Sequence, residues 1–163
     1  MIDHRKNEIV IVEGLKAYLH NDLRPCELVR QNQVAEVPPY PYGSYTVTTP
    51  VSAHGGTYSR GTDGTLYKTI LQTWSFTFQS DDQEEALALA MRAYDFFTAI
   101  GLTDLADNGI TVRRVRDITT RDNMISVQYE HRNGLDVTFG LLYSIASVEE
   151  TIDTAEFNKN KEV

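Results

Sequence analysis

The chain has 163 residues, 41% of them hydrophobic and 23% charged, enough to bury the core of one domain, so wholesale disorder is excluded. The formal charge of −8 speaks against a general nucleic-acid binder, whose affinity comes from Lys and Arg on phosphates. A single cysteine, Cys26, excludes an internal disulfide, and no apolar run approaches the roughly 20 residues of a membrane helix. Met1-Ile2-Asp3-His4-Arg5-Lys6 has no apolar region behind it, so a cleaved secretion signal is not expected, and folding in a reducing cytoplasm fits.

In chain order, Ile9, Val12, Leu15 and Leu19 recur at helical spacing and predict an amphipathic helix over residues 3–20. A short strand is expected over 27–32. Val37-Pro38-Pro39-Tyr40-Pro41-Tyr42 excludes helix and central strand, because three prolines remove donors and fix φ. Polar β-formers around Tyr45 and Val47 predict a strand over 43–51. Residues 50–66 hold Gly55, Gly56, Gly61 and Gly64 and little to bury, which predicts an extended, flexible hairpin loop. His54 and Tyr58 in that loop are candidate partner contacts.

The alternation of Ile70, Trp74, Phe76 and Phe78 against Leu71, Thr73, Ser75 and Thr77 predicts a half-buried strand over 67–79. Ser80-Asp81-Asp82-Gln83-Glu84 reads as a helix start with Asp81 as cap, and Leu87, Ala90, Met91, Tyr94 and Phe97 as its inward stripe up to Gly101. A short helical turn is expected over 102–107 and a strand over 110–118. Residues 124–143 alternate again, and Asn133-Gly134 is open to two readings, a two-residue hairpin turn or a bulge in one long strand. Residues 144–157 fit either a helix or an edge strand, and 158–163 a frayed tail. These elements predict an α+β fold, a largely antiparallel (mixed) sheet with helices on one face and one long hairpin loop, as a single domain over 1–157.

Chemistry is hard to find. His4, His20, His54 and His131 have no metal-ligand spacing, the glycines near Gly55 and Gly61 lack a following Gly-Lys-Ser/Thr, and no serine sits in a Gly-x-Ser-x-Gly context. No catalytic residue, metal or cofactor is expected, so the chain reads as a non-enzyme. Charge is unevenly spread: residues 81–109 hold seven acids against Arg92 alone, a net of −6, while 110–122 hold four arginines against two aspartates. Arg113, Arg114 and Arg116 lie on an expected strand, with Arg114 and Arg116 sharing the face of Val112. They suit an acidic partner, passing DNA or plain solvent. Together with Asp81, Asp82 and Glu85 they are the candidate interface residues. Tyr40, Tyr42 and Tyr45 either roof the core or face a partner.

Three stretches carry a resemblance. Gln31-Asn32-Gln33 precedes Pro38-Pro39-Tyr40-Pro41-Tyr42. A strand ending near Gln79 runs straight into an acid-capped helix. Val115-Arg116-Asp117-Ile118-Thr119 is followed by Tyr129-Glu130-His131-Arg132 and Leu135-Asp136-Val137-Thr138-Phe139. This order resembles the phage neck or tail terminator proteins. The resemblance implies a structural virion protein at the neck, made in the host cytoplasm, that forms a homo-oligomeric ring of six. Its expected partners are the tail-tube protein and a head-completion or connector protein, with genomic DNA passing through the lumen and no membrane involved. It also favours one continuous strand through Asn133-Gly134. A head-completion or tail-tube subunit, or a small acidic enzyme or ligand-binding domain, are the alternatives.

Overall fold

The computed structural model describes residues 3–20, 25–32, 36–53, 57–125 and 128–146. Helix α1, His4–Leu19, starts at Asp3, whose carboxylate accepts the Lys6 N–H at 2.9 Å. It buries Ile11, Val12, Leu15 and Leu19, whereas Ile9 of the expected stripe is exposed. The helix is rotated so that Glu8 can accept the Tyr45 hydroxyl at 2.7 Å.

The sheet is built on the path β1 (Glu27–Arg30), β2 (Tyr42–Ala53), β4 (Leu66–Ser80), β8 (Gln128–Ile145) and β5 (Ile110–Val115). β1 runs parallel to β2 and the remaining neighbours are antiparallel, so the sheet is mixed. Short strands β3 (Ser59–Arg60), β6 (Thr119–Thr120) and β7 (Asn123–Ile125) pair with β4, β8 and β8. The seam is β4 against β8, in unbroken register from Leu66↔Ile145 to Ser80↔His131.

That seam bears out one continuous strand through Asn133-Gly134 and corrects the turn and the bulge. Phe78↔Asn133 and Thr77↔Gly134 are ordinary pairs, so the position is neither a turn nor a bulge. The glycine is needed for close approach, since a Cβ there would lie 2.5 Å from the Phe76 carbonyl oxygen and 2.8 Å from the Arg121 guanidinium. Pairing also reaches further into the hairpin tip than its glycines suggest. β2 continues through Pro50 to Ala53, and β3 joins β4 by a turn in which Asp63 accepts the Thr65 N–H at 3.0 Å and Gly64 takes φ +78°. His54 and the C-terminal segment over 147–163 lie outside the described residues.

Helix α2, Gln83–Asp95, is capped by Asp82, one residue later than expected, whose carboxylate accepts the Glu84 N–H at 2.9 Å. The expected stripe is corrected too. Ala86, Leu89, Ala90 and Ala93 face the core, while Leu87, Met91 and Tyr94 point outward. Three alanines and Leu89, rather than the expected Leu87, Met91 and Tyr94, mark the buried side. A π-helical turn, Phe96–Ile100, then brings Phe96 and Phe97 inward together. Gly101 tolerates the Phe96 ring, which a Cβ would meet at 2.5 Å. Helix α3, Leu102–Asp107, leads through Gly109, at φ +77°, into β5.

The core lies between one sheet face and the helices. Trp74 is 3% exposed, stacks on Tyr45 at 5.7 Å, meets Phe139 edge-on at 6.0 Å and donates its indole N–H to Gln72 Oε1 at 2.7 Å. Phe97 reaches Phe76 at 5.0 Å and Phe139 at 5.6 Å, pinning the helical layer to the seam. The fold is α+β, with helices on one face of a mixed sheet.

Candidate subunit interface

Among the described residues, no helix packs on the sheet's other face. Strand alternation puts Thr73, Ser75 and Thr77 of β4 beside Gly134, Asp136 and Thr138 of β8, with the Thr73 and Thr138 hydroxyls 3.0 Å apart. β5 brings the arginines to this open face by an irregularity. Its register slips between Val112 and Arg114, so Val112 opposite Phe139 and Val115 opposite Val137 both turn to the core. Arg114, opposite Thr138, therefore lies on the face opposite Val112, which corrects the expectation of a shared face. Arg116, which donates its backbone N–H to the Asp136 carbonyl at 2.8 Å, continues the stripe. The Arg113 side chain covers Gly140, where a Cβ would meet its Nε at 2.8 Å. Arg113, Arg114 and Arg116 are all exposed.

Arg121 has a different role. It lies across Gly134 and donates to Ser75 at 2.7 Å, Thr77 at 2.9 Å, Asp136 at 3.0 Å and, through Nε, Thr119 at 3.2 Å. Burial alone would raise the Asp136 carboxyl, but hydrogen bonds from Ser75 and Arg121 outweigh it and hold the group below its usual range. Arg114, Arg116, Arg121 and Asp136 line a shallow concavity of about 300 Å³.

At the other end of the face, the Glu130 carboxylate is buried and accepts the Tyr40 hydroxyl at 2.9 Å, the Tyr42 hydroxyl at 3.3 Å and Arg132 Nε at 2.6 Å, with a second ion-pair contact from Arg132. Burial, then this carboxylate, pushes the Tyr40 phenol up to about 12 and raises Tyr42 as well. The tyrosines of the proline segment thus tie that segment to β8, and Tyr45 is stacked in the core. Sequence reasoning quoted Glu130 and Arg132 without a role. Their Glu-x-Arg spacing, which puts both on one strand face, was the available signal.

The acids sit on the opposite side of the molecule. Ser80 organises them: its hydroxyl accepts the Asp82 N–H at 3.0 Å, donates to Glu85 at 2.6 Å and lies 3.3 Å from Asp81. Asp82 caps α2 in the helical layer, so the fold sets Asp81, Asp82 and Glu85 across the sheet from Arg113, Arg114 and Arg116 and does not bring the two groups together. Tyr58 is exposed in the hairpin tip with Lys68 Nζ 5.4 Å from its ring centroid. Among the described residues no group of three His, Cys, Asp or Glu side chains is placed to hold a metal ion. Among them, too, no helix is long and apolar enough to cross a membrane.

No curated protein matches the chain. A family model described as phage neck terminator protein matches residues 10–162, a span running from within α1 past the end of β8. With that much of its length matched, the chain belongs to the phage neck terminator protein family and is a structural protein of the phage neck.

Proposed function

We propose that the chain is a ring-forming tail terminator subunit, one copy in a closed ring of six that caps the tail tube and joins it to the head-completion or connector proteins. Family membership over residues 10–162 carries this reading. The fold supports it, since a two-layer subunit with unlike outer faces is suited to head-to-tail contacts that close by rotation. The mechanism is assembly, with no bond made or broken. Residues 1–157 act as one domain, the hairpin over 50–66 reaching towards a partner. Genomic DNA passes through the lumen without sequence readout. Assembly takes place in the host cytoplasm and the product resides in the virion.

Electron microscopy of the purified chain, alone and with tail tubes, tests this. Closed rings that seat on one end of the tube are expected. Stacked tubes would make it a tube subunit. A monomer or dimer that ignores tubes would return it to the small-domain alternative.

A further inference from the structure

The outer side of α2 carries a continuous apolar stripe. Leu87 is 42% exposed, Met91 54% and Tyr94 38%, spaced to form one stripe, and the exposed Glu84 and Asp95 flank it. Arg92, the lone base among residues 81–109, does not offset these acids outward. It donates to the Tyr18 carbonyl at 3.1 Å and stacks over the Tyr18 ring at 5.1 Å, joining α2 to α1.

The open sheet face offers the opposite pattern. Leu71 and Leu142 are diagonal neighbours there, since Leu71 pairs with Gly140 and Leu142 with Thr69. Leu142 is 59% exposed. Beside this apolar pair stand Arg113, lying over Gly140, and Arg114 on the next strand. One surface is apolar with an acidic rim and the other is apolar with a basic rim.

We propose that these two surfaces are the two halves of the joint between copies of this chain: the α2 stripe of one copy docks on the Leu71/Leu142 patch of the next. This rests on the ring reading and names the joint within it. Apolar centres with charged rims are how specific interfaces divide affinity from partner choice. Charge also selects the symmetry. A two-fold contact of α2 on α2 would set Glu84 and Asp95 against their own copies, and a contact of sheet face on sheet face would do the same with Arg113 and Arg114. Only the unlike pairing is attractive, and because its halves lie on opposite sides of the subunit it propagates head to tail. The acids that matter are therefore those on the outer helix side. Asp82 and Glu85 are engaged in the cap and with Ser80.

The test uses two full-length variants sized by mass photometry. Leu87→Lys with Met91→Lys places positive charge on the helix stripe. Arg114→Glu with Leu142→Glu places negative charge on the sheet patch. Each alone is expected to be monomeric at concentrations where wild type is fully assembled. An equimolar mixture is expected to reassemble, since one joint is then native and the other pairs Lys with Glu. Where a variant melts below wild type, Tyr94→Lys with Arg113→Glu repeats the mixing experiment at other positions. Wild-type rings from both variants would place the joint elsewhere, overturning this inference while leaving the ring reading intact. Monomeric variants whose mixture stays monomeric would also overturn it. Unchanged rings with weakened retention of duplex DNA by the sheet variant would assign the arginines to DNA instead. Wild type that stays monomeric at every concentration would sink both readings.

Discussion

At the scale of single residues, the molecule separates groups that build the fold from groups left for partners. Trp74 belongs to the first kind, packed between Tyr45 and Phe139 with its N–H satisfied by Gln72. Trp74→Ala is expected to cost about 3–5 kcal/mol, read as a lower urea midpoint at unchanged slope. A wild-type midpoint would show that the indole is dispensable to the core. Cys26 is fully buried, and burial pushes its thiol up to about 12. Reaction with a thiol reagent should be slow in native protein and rapid in denaturant; equal rates would contradict the burial. Asp136 gives a pH signature. Its carboxyl is held low in the folded chain, so its pairing with Arg121 stabilises above the unfolded value and is lost as pH falls through the depressed one, below 3.8. Asp136→Asn should cost on the order of 1–2 kcal/mol at neutral pH, the partial exposure of both groups being allowed for, and the deficit should shrink below about pH 4. A pH-independent deficit would assign the loss to packing.

At the scale of elements, Gly134 is the sharpest test. Gly134→Ala sets a methyl against the Phe76 carbonyl and the Arg121 guanidinium, so the seam must widen or Arg121 must leave. A loss of about 1–3 kcal/mol in a thermal melt is expected, and an unchanged midpoint would mean Arg121 does not seat there. The same position shows where the sequence was legible and where it was not. Local signals sufficed for the first helix over residues 3–20 and for Ile70, Trp74, Phe76 and Phe78 as one face of β4. Asn133-Gly134 carries an equally strong local turn signal, yet a ladder formed with residues far away in the chain overrides it. β5 was misread because a one-residue slip at Arg113 inverts the alternation beyond it. α2 was misread because its inner side is alanines around a single Leu89 and its phase is broken by the π turn. Of the candidate interface, the arginines' exposure was legible, but not the sheet lying between them and Asp81, Asp82 and Glu85.

At the scale of the whole molecule, the proposed joint between the unlike faces predicts what surroundings favour assembly. Rims of Glu84 and Asp95 against Arg113 and Arg114 stand near solvent, where added salt screens them. Ring formation should weaken as sodium chloride rises from about 0.05 to 0.5 M, followed by sedimentation velocity. Salt-independent assembly would leave the apolar stripe as the whole of the joint.

The central seam has a further consequence for how the protein is made. β4 is flanked by β2 and β8, but β8 follows only after α2, α3 and β5 have been translated. Until then a nascent chain holds Trp74, Phe76 and Phe78 on a strand with one unpaired edge, and its helices lack half the surface they pack on. Translation halted before β8 thus leaves a sticky fragment rather than a small stable subunit. The sheet centre closes only once β8 has emerged, and a chain that lacks it has no completed core.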